Sequence, residues 1–211
     1  MEALFEKMAT ALIAGEEAEV KDLTQEALDK DTVAREILDN GLLAGMDVVG
    51  QRFKAGDMFI PEVLRSARCM HGAMDILKPF LSEGDAAGAG TVVIGTVEGD
   101  LHDIGKNLVG MMMQGAGFKV IDMGTNITPQ QFVDAVKEHH PSILGMSALL
   151  TTTMPKMEQT IQALREAGVR DQVKIMAGGA PVTQKFVDKI GGDAYGANAA
   201  SASEKAKALI G

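Results

Sequence analysis

Apolar residues follow two different periods along this chain. In the first part they recur every three or four positions. Leu4, Phe5, Met8, Leu12 and Ile13 share one helical face, and Gly15 marks a stop. A second helix is predicted over about 16–30. Asp31 or Thr32 supplies a cap for a third, whose buried stripe runs Val33, Ile37, Leu38, Leu42, Met46, Val49 and Phe53 until Gly56 ends it. Pro61 suits the first turn of a fourth helix that reaches about Leu81, with Pro79 near its end. Four helices with short connections predict a small bundle.

From Thr91 the pattern changes to short apolar runs alternating with amphipathic helices. Strands are predicted at 91–97, 119–123, 142–147, 173–177 and 194–195, and helices at 103–115, 129–139, 155–167, 182–190 and 198–210. Strands that are apolar throughout and alternate with helices predict a parallel sheet covered on both faces. With right-handed crossovers the simplest arrangement is a flavodoxin-like, Rossmann-type sheet of order 2-1-3-4-5. The small, Gly-rich stretch at 82–90 reads as a linker. The expected organisation is therefore α/β, with a helical domain at 1–84 and an α/β domain at 90–211.

Charge supports the division. Residues 1–88 carry 9 basic and 17 acidic side chains, and residues 89–211 carry 11 and 12. The whole chain, at net -9 with no Trp and one Tyr, is poorly suited to phosphate backbones or base stacking, so no nucleic-acid partner is expected. No apolar run approaches the roughly 20 residues of a bilayer span, and no signal peptide is seen at the start. Cys69 is the single cysteine. It excludes an internal disulfide and a thiolate metal cage, and cytoplasm is the expected compartment.

In a sheet of this order, ligands bind beyond the carboxyl ends of the strands where the winding reverses, between the first and third. Glu98 to Asn107 follows the first strand, Ser147 to Thr153 the third, and Gly178-Gly179-Ala180-Pro181 the fourth. Each piece has an ordinary reading: a solvated loop histidine, turn glycines, helix-capping hydroxyls. G-x-G-x-x-G and G-x-x-x-x-G-K-[ST] are both absent, which disfavours a dinucleotide or a P-loop nucleotide. What remains is His102 with Asp100 two residues before it. A metal-bound imidazole typically gives its other N–H to a carboxylate. One imidazole cannot hold a bare ion, so the metal would arrive caged in a macrocycle.

Asp100-x-His102-x-x-Gly105, Ser147-x-Leu149 and Gly178-Gly179, in that order, resemble the cobalamin-binding domain of methionine synthase and of corrinoid methyltransferase proteins. The longer run from Gly99 to Asn107 strengthens the match. Gly45-Met46-x-x-Val49-Gly50-x-x-Phe53-x-x-Gly56-x-x-Phe59-x-Pro61-Glu62 resembles the helical cap of the same proteins. The pair without a catalytic barrel is similar to the small corrinoid protein of methylamine, methanol or methoxyl methyltransferase systems.

The resemblance implies bound cobalamin, methylcobalamin in the loaded state, with His102 as lower axial ligand to cobalt. Asp100 would hydrogen-bond His102, and Thr153 would extend the relay. Asp103, Ile104 and Gly105 complete that loop. Ser147, Leu149 and Thr151 would line a pocket for the cofactor's nucleotide tail. Gly178 and Gly179 would let the backbone approach the tail, and Tyr195, Ala197 and Asn198 would close the other side. Met46 and Phe53, with Val49 beside them, are the candidates for an apolar cover over the corrin. The implied role is a methyl-carrying subunit without catalytic residues of its own. Its partners would be a substrate:corrinoid methyltransferase, a methylcorrinoid:acceptor methyltransferase using tetrahydrofolate or coenzyme M, and a reductive activase. The methyl donor stays open. The rival readings are a cobalamin-sensing regulator, the corrinoid subunit of a mutase, and simple storage. The regulator would need a DNA-binding module, and the mutase would show adenosylcobalamin dependence.

Overall fold

The computed structural model describes residues 1–81 and 90–210; the predicted linker therefore lies outside the described residues except for Gly90. The chain divides into two compact units. One comprises Met1–Gly88 with Gln114–Gly117, and the other Ala89–Met113 with Phe118–Gly211.

The first unit is helical. Helix α1 spans Glu2–Ala14 and α2 spans Glu17–Asp29. Gly15 closes α1 in the left-handed conformation, φ 78°, as its position suggested. A third helical rod, α3, covers 34–55 but is not uniform. A turn at Ala34–Glu36 leads into a π-helical stretch at Ile37–Leu43 and then regular α-helix at Ala44–Ala55. Two expectations fail at its start. Asp31 and Thr32 do not cap it: Asp31 has φ 57°, and both backbone N–H groups donate back to the end of α2, at Leu28 and Ala27. Val33 is the N-cap residue and is 61% exposed, outside the buried stripe. The rest of that stripe up to Val49 is buried. Helix α4 spans Ile60–Leu77, shorter than expected, and a 3-10 turn at Lys78–Phe80 follows it. The Glu62 carboxylate accepts the Phe59 N–H, and Pro61 sits in the first turn. Among the described residues no helix is long and apolar enough to cross a membrane.

The second unit is a five-stranded parallel sheet of order β2-β1-β3-β4-β5, as expected. The strands are β1 Thr91–Thr96, β2 Lys119–Asp122, β3 Ile143–Ser147, β4 Lys174–Gly178 and β5 Ala194–Gly196. The helices are α5 Ile104–Gly115, α6 Pro129–His139, α7 Pro155–Glu166, α8 Gln184–Ile190 and α9 Ala199–Ile210. One sheet face forms a continuous core. Val93, Leu144 and Ile175 meet Phe132, Met157, Ile161 and Val187 there, which sets α6, α7 and α8 on that side. In the run of three methionines, Met112 and Met113 are buried while Met111 is 37% exposed.

Candidate functional site

The opposite sheet face opens into a cavity of about 600 Å³. Its floor is Ile94, Gly145, Ser147, Met176 and Gly178. Its walls come from Leu108, Val109 and Met113 of α5 and from Ala199 and Ala202 of α9. The mouth lies at the carboxyl ends of the strands, where the loop after β1 brings in His102, Asp103, Ile104 and Gly105.

Asp100 is fully buried at the centre of this loop, and both of its carboxylate oxygens accept hydrogen bonds. Its Oδ1 accepts the His102 ring at Nδ1 (2.7 Å) and the His102 N–H (3.1 Å). Its Oδ2 accepts the Leu149 N–H (2.8 Å), the Leu150 N–H (3.3 Å) and the Thr153 hydroxyl (2.8 Å). Burial alone would raise the carboxyl pKa. The hydrogen bonds from Leu149, His102 and Thr153 outweigh it and hold Asp100 well below the ordinary carboxylate range. The group is therefore ionised and only accepts, so Nδ1 is the donor, and in the neutral ring the lone pair is on Nε2. The His102 side chain is 52% exposed, so that lone pair sits on an accessible ring. The Thr96 hydroxyl anchors the backbone by donating to the His102 carbonyl at 2.9 Å. An ion pair between Glu98 and Lys156 (2.7 Å) joins the loop to the first turn of α7.

Of the residues expected in the site, His102, Asp103, Ile104, Gly105, Ser147, Leu149, Gly178, Gly179, Tyr195, Ala197 and Asn198 line the cavity. Asp100 and Thr153 stand behind it as the support of His102. Thr151 is exposed in the turn before α7 and is not among the lining residues. Met46 and Val49 are buried and Phe53 is partly exposed; all three lie in the helical unit. The two glycines have a reason within the chain itself. A Cβ on Gly179 would lie 1.9 Å from the Ala148 carbonyl oxygen at φ 126°, and one on Gly178 would lie 2.8 Å from the Gly196 oxygen. Sequence reasoning missed Gly145, Gly196, Ala199 and Ala202, small residues whose only signal is their shared side of the sheet. It also missed Lys106, which lines the cavity with its side chain 1% exposed and its ammonium against Asp122.

The site fits a macrocycle-borne metal. Among the described residues no group of three or more His, Cys, Asp or Glu could chelate a bare ion. One oriented imidazole beside a largely apolar cavity is the alternative donor set, and a Cβ on Gly105 would meet nothing within 4 Å. That leaves free space beside the histidine.

Comparison with known proteins agrees with this reading. A family model described as "B12 binding domain" matches residues 90–203, and a second of the same description matches 4–78. The chain is 42% identical over 211 residues to trimethylamine corrinoid protein 1 of Methanosarcina acetivorans, covering 99% of this chain and 98% of that one. It is similar to a cobalamin-binding protein from Desulfitobacterium hafniense, with 33% identity, TM-score 0.81 and 98% of both chains covered. It also resembles a chain of the methanol:cobalamin methyltransferase complex of Methanosarcina barkeri, with 33% identity, TM-score 0.86 and 99% and 80% coverage.

Proposed function

We propose that this chain, which belongs to the family of corrinoid proteins built on B12-binding domains, carries a methyl group between two methyltransferases. Its cofactor is cobalamin. The observation that carries the proposal is the Asp100–His102 pair. The carboxylate holds the Nδ1–H, so the Nε2 lone pair would be the one offered to the cobalt of a bound corrinoid.

When bound, the corrinoid supplies a cobalt centre that accepts and gives up the methyl group. The protein's own residues bind and orient. Thr153 and the Leu149 N–H keep Asp100 charged and in place. The cavity, apolar along Ile94, Val109 and Met176 with Ser147 and Asn198 as polar points, takes the nucleotide tail. Met46, Val49 and Phe53 of the helical unit are the residues proposed as an apolar cover; Met46 and Val49 are buried and Phe53 is partly exposed. The partners are a methyltransferase that loads the corrinoid, a second that passes the methyl group to tetrahydrofolate or coenzyme M, and a reductive activase. Likeness to a chain of the methanol:cobalamin methyltransferase complex supports the first of these.

The test is a visible spectrum of the purified chain loaded with cobalamin and desalted. Wild type is expected to keep its colour. His102→Ala should keep cobalamin but lose the absorption signature of a nitrogen lower ligand. Asp100→Asn should weaken that ligation by about 10–100-fold, the usual effect of removing such a support. Loss of colour from the wild type, or an unchanged spectrum in His102→Ala, would overturn the proposal.

A further inference from the structure

The end of β2 and the loop after it, residues 122–127, contribute nothing to the cavity lining. Yet they grip the His102 loop on both sides. On the upstream side the agent is Asn126. Its backbone is left-handed, φ 59°, a conformation that asparagine adopts more readily than most residues. That turn aims two groups of Asn126 at the two peptides that flank the Gly99–Asp100 pair. Its N–H donates to the Asp100 carbonyl (3.0 Å), and its Oδ1 accepts the Gly99 N–H (2.8 Å). Gly99 is itself left-handed, φ 81°, and would otherwise be the most pliable point before Asp100. The flanks are zipped as well: the Thr96 N–H donates to the Gly124 carbonyl, and the Ile127 N–H to the Thr96 carbonyl.

On the downstream side the agent is Asp122. Its carboxylate receives the buried Lys106 ammonium (2.6 Å at Oδ1) and the Gly124 N–H (2.8 Å). Lys106 also donates to Asn107 Oδ1 (2.7 Å), and Asn107 Nδ2 donates to Asp103 Oδ2 (3.1 Å). A buried ammonium needs such a partner, because leaving it unpaired carries a desolvation penalty. His102 thus lies between two clamps that reach it only through its neighbours.

We infer that Asn126 is a positioning residue for His102. By fixing the peptides on either side of the Gly99–Asp100 pair it sets where the Asp100 carboxylate points, and so the direction of the imidazole, with Asp122–Lys106 as the second anchor. This rests on the reading of His102 as lower ligand. Asn126 touches neither the ring nor the cavity, so its effect passes entirely through Asp100.

The experiment uses the full-length chain and two readouts. One is the ¹⁵N chemical shift of His102 Nδ1 in the cofactor-free protein at a single pH, which reports the hydrogen bond to Asp100. The other is the fraction of bound cobalamin with a nitrogen lower ligand, read from the visible spectrum. Asn126→Gly keeps the left-handed backbone and deletes the acceptor; Asn126→Asp keeps both. Asn126→Gly should move the Nδ1 signal and lower the ligated-to-unligated ratio by about 3–10-fold, less than loss of the direct support. Asn126→Asp should restore both. Asp122→Asn should move the Nδ1 signal as Asn126→Gly does, and it stands in should the glycine variant not fold. Silence of Asn126→Gly in both readouts, with Asp100→Asn displaced, would overturn the inference while leaving the ligand reading intact. An unchanged spectrum in His102→Ala would overturn the ligand reading, and the Nδ1 signal would still decide the positioning.

Discussion

The two faces of one sheet behave as opposites. On the closed face, Val93, Leu144 and Ile175 pack with Phe132, Met157 and Ile161 in one buried core. On the open face, the next residues along the same strands are Ile94, Gly145 and Met176, and they border about 600 Å³ of space. Adjacent strand residues point to opposite sides, so a single-residue step separates core from cavity. Magnitude shows that the space is no packing defect. At ~24 cal/mol per Å³, a dry void of 600 Å³ would cost about 14 kcal/mol. That is comparable with the entire stability of a typical domain, about 5–15 kcal/mol. The open face is built to hold solvent or a ligand, and its small residues keep it open.

The largest effect expected from this contrast is on the closed face. Phe132 is fully buried, and Phe132→Ala should destabilise the chain by about 3–5 kcal/mol in chemical denaturation. A loss under about 1 kcal/mol would mean that the closed face is not tightly packed. A substitution on the open face should reverse the balance. Ser147→Phe puts an aromatic ring into the cavity. It should weaken cobalamin retention at least tenfold, about 1.4 kcal/mol, while the denaturation midpoint moves little. Unimpaired binding would separate the cavity from the cofactor. The smallest effect concerns acid stability. Asp100 has a depressed pKa when folded, so its stabilisation is complete above its unfolded pKa, near 4, and is lost as pH falls below that. The stability gap between wild type and Asp100→Asn should therefore narrow on acidification below about pH 4. A gap of constant size down to pH 3 would contradict the assigned charge state.

Much of this was legible in the chain. The apolar strands, their alternation with helices and the winding rule were enough for the sheet order and for where His102, Ser147 and Gly178 meet. Those features are local or topological, so sequence carries them. The cavity's walls were harder. Ala199 and Ala202 look like ordinary helix formers, and only the structure shows that their size leaves room. Asn126 reads as a turn residue, because its partners Gly99 and Asp100 are far away in sequence. Lys106 reads as a surface lysine, because nothing local announces Asp122 as its partner. The π-helical stretch in α3 also left no mark, since Ile37, Leu38 and Leu42 fit an ordinary α-helical stripe.

That stretch has a consequence for how the family can change length. In Ile37–Leu43 each hydrogen bond spans one residue more than in an α-helix, so the segment stores slack within a continuous rod. Deleting a single residue there can be absorbed by reverting to the shorter ladder, with Met46 and Val49 still facing inward. The same deletion in Glu2–Ala14 would rotate everything beyond it by about 100° and turn the buried face towards water. Relatives that differ by one residue in the bundle should carry the gap in this rod, where the backbone has the means to close it.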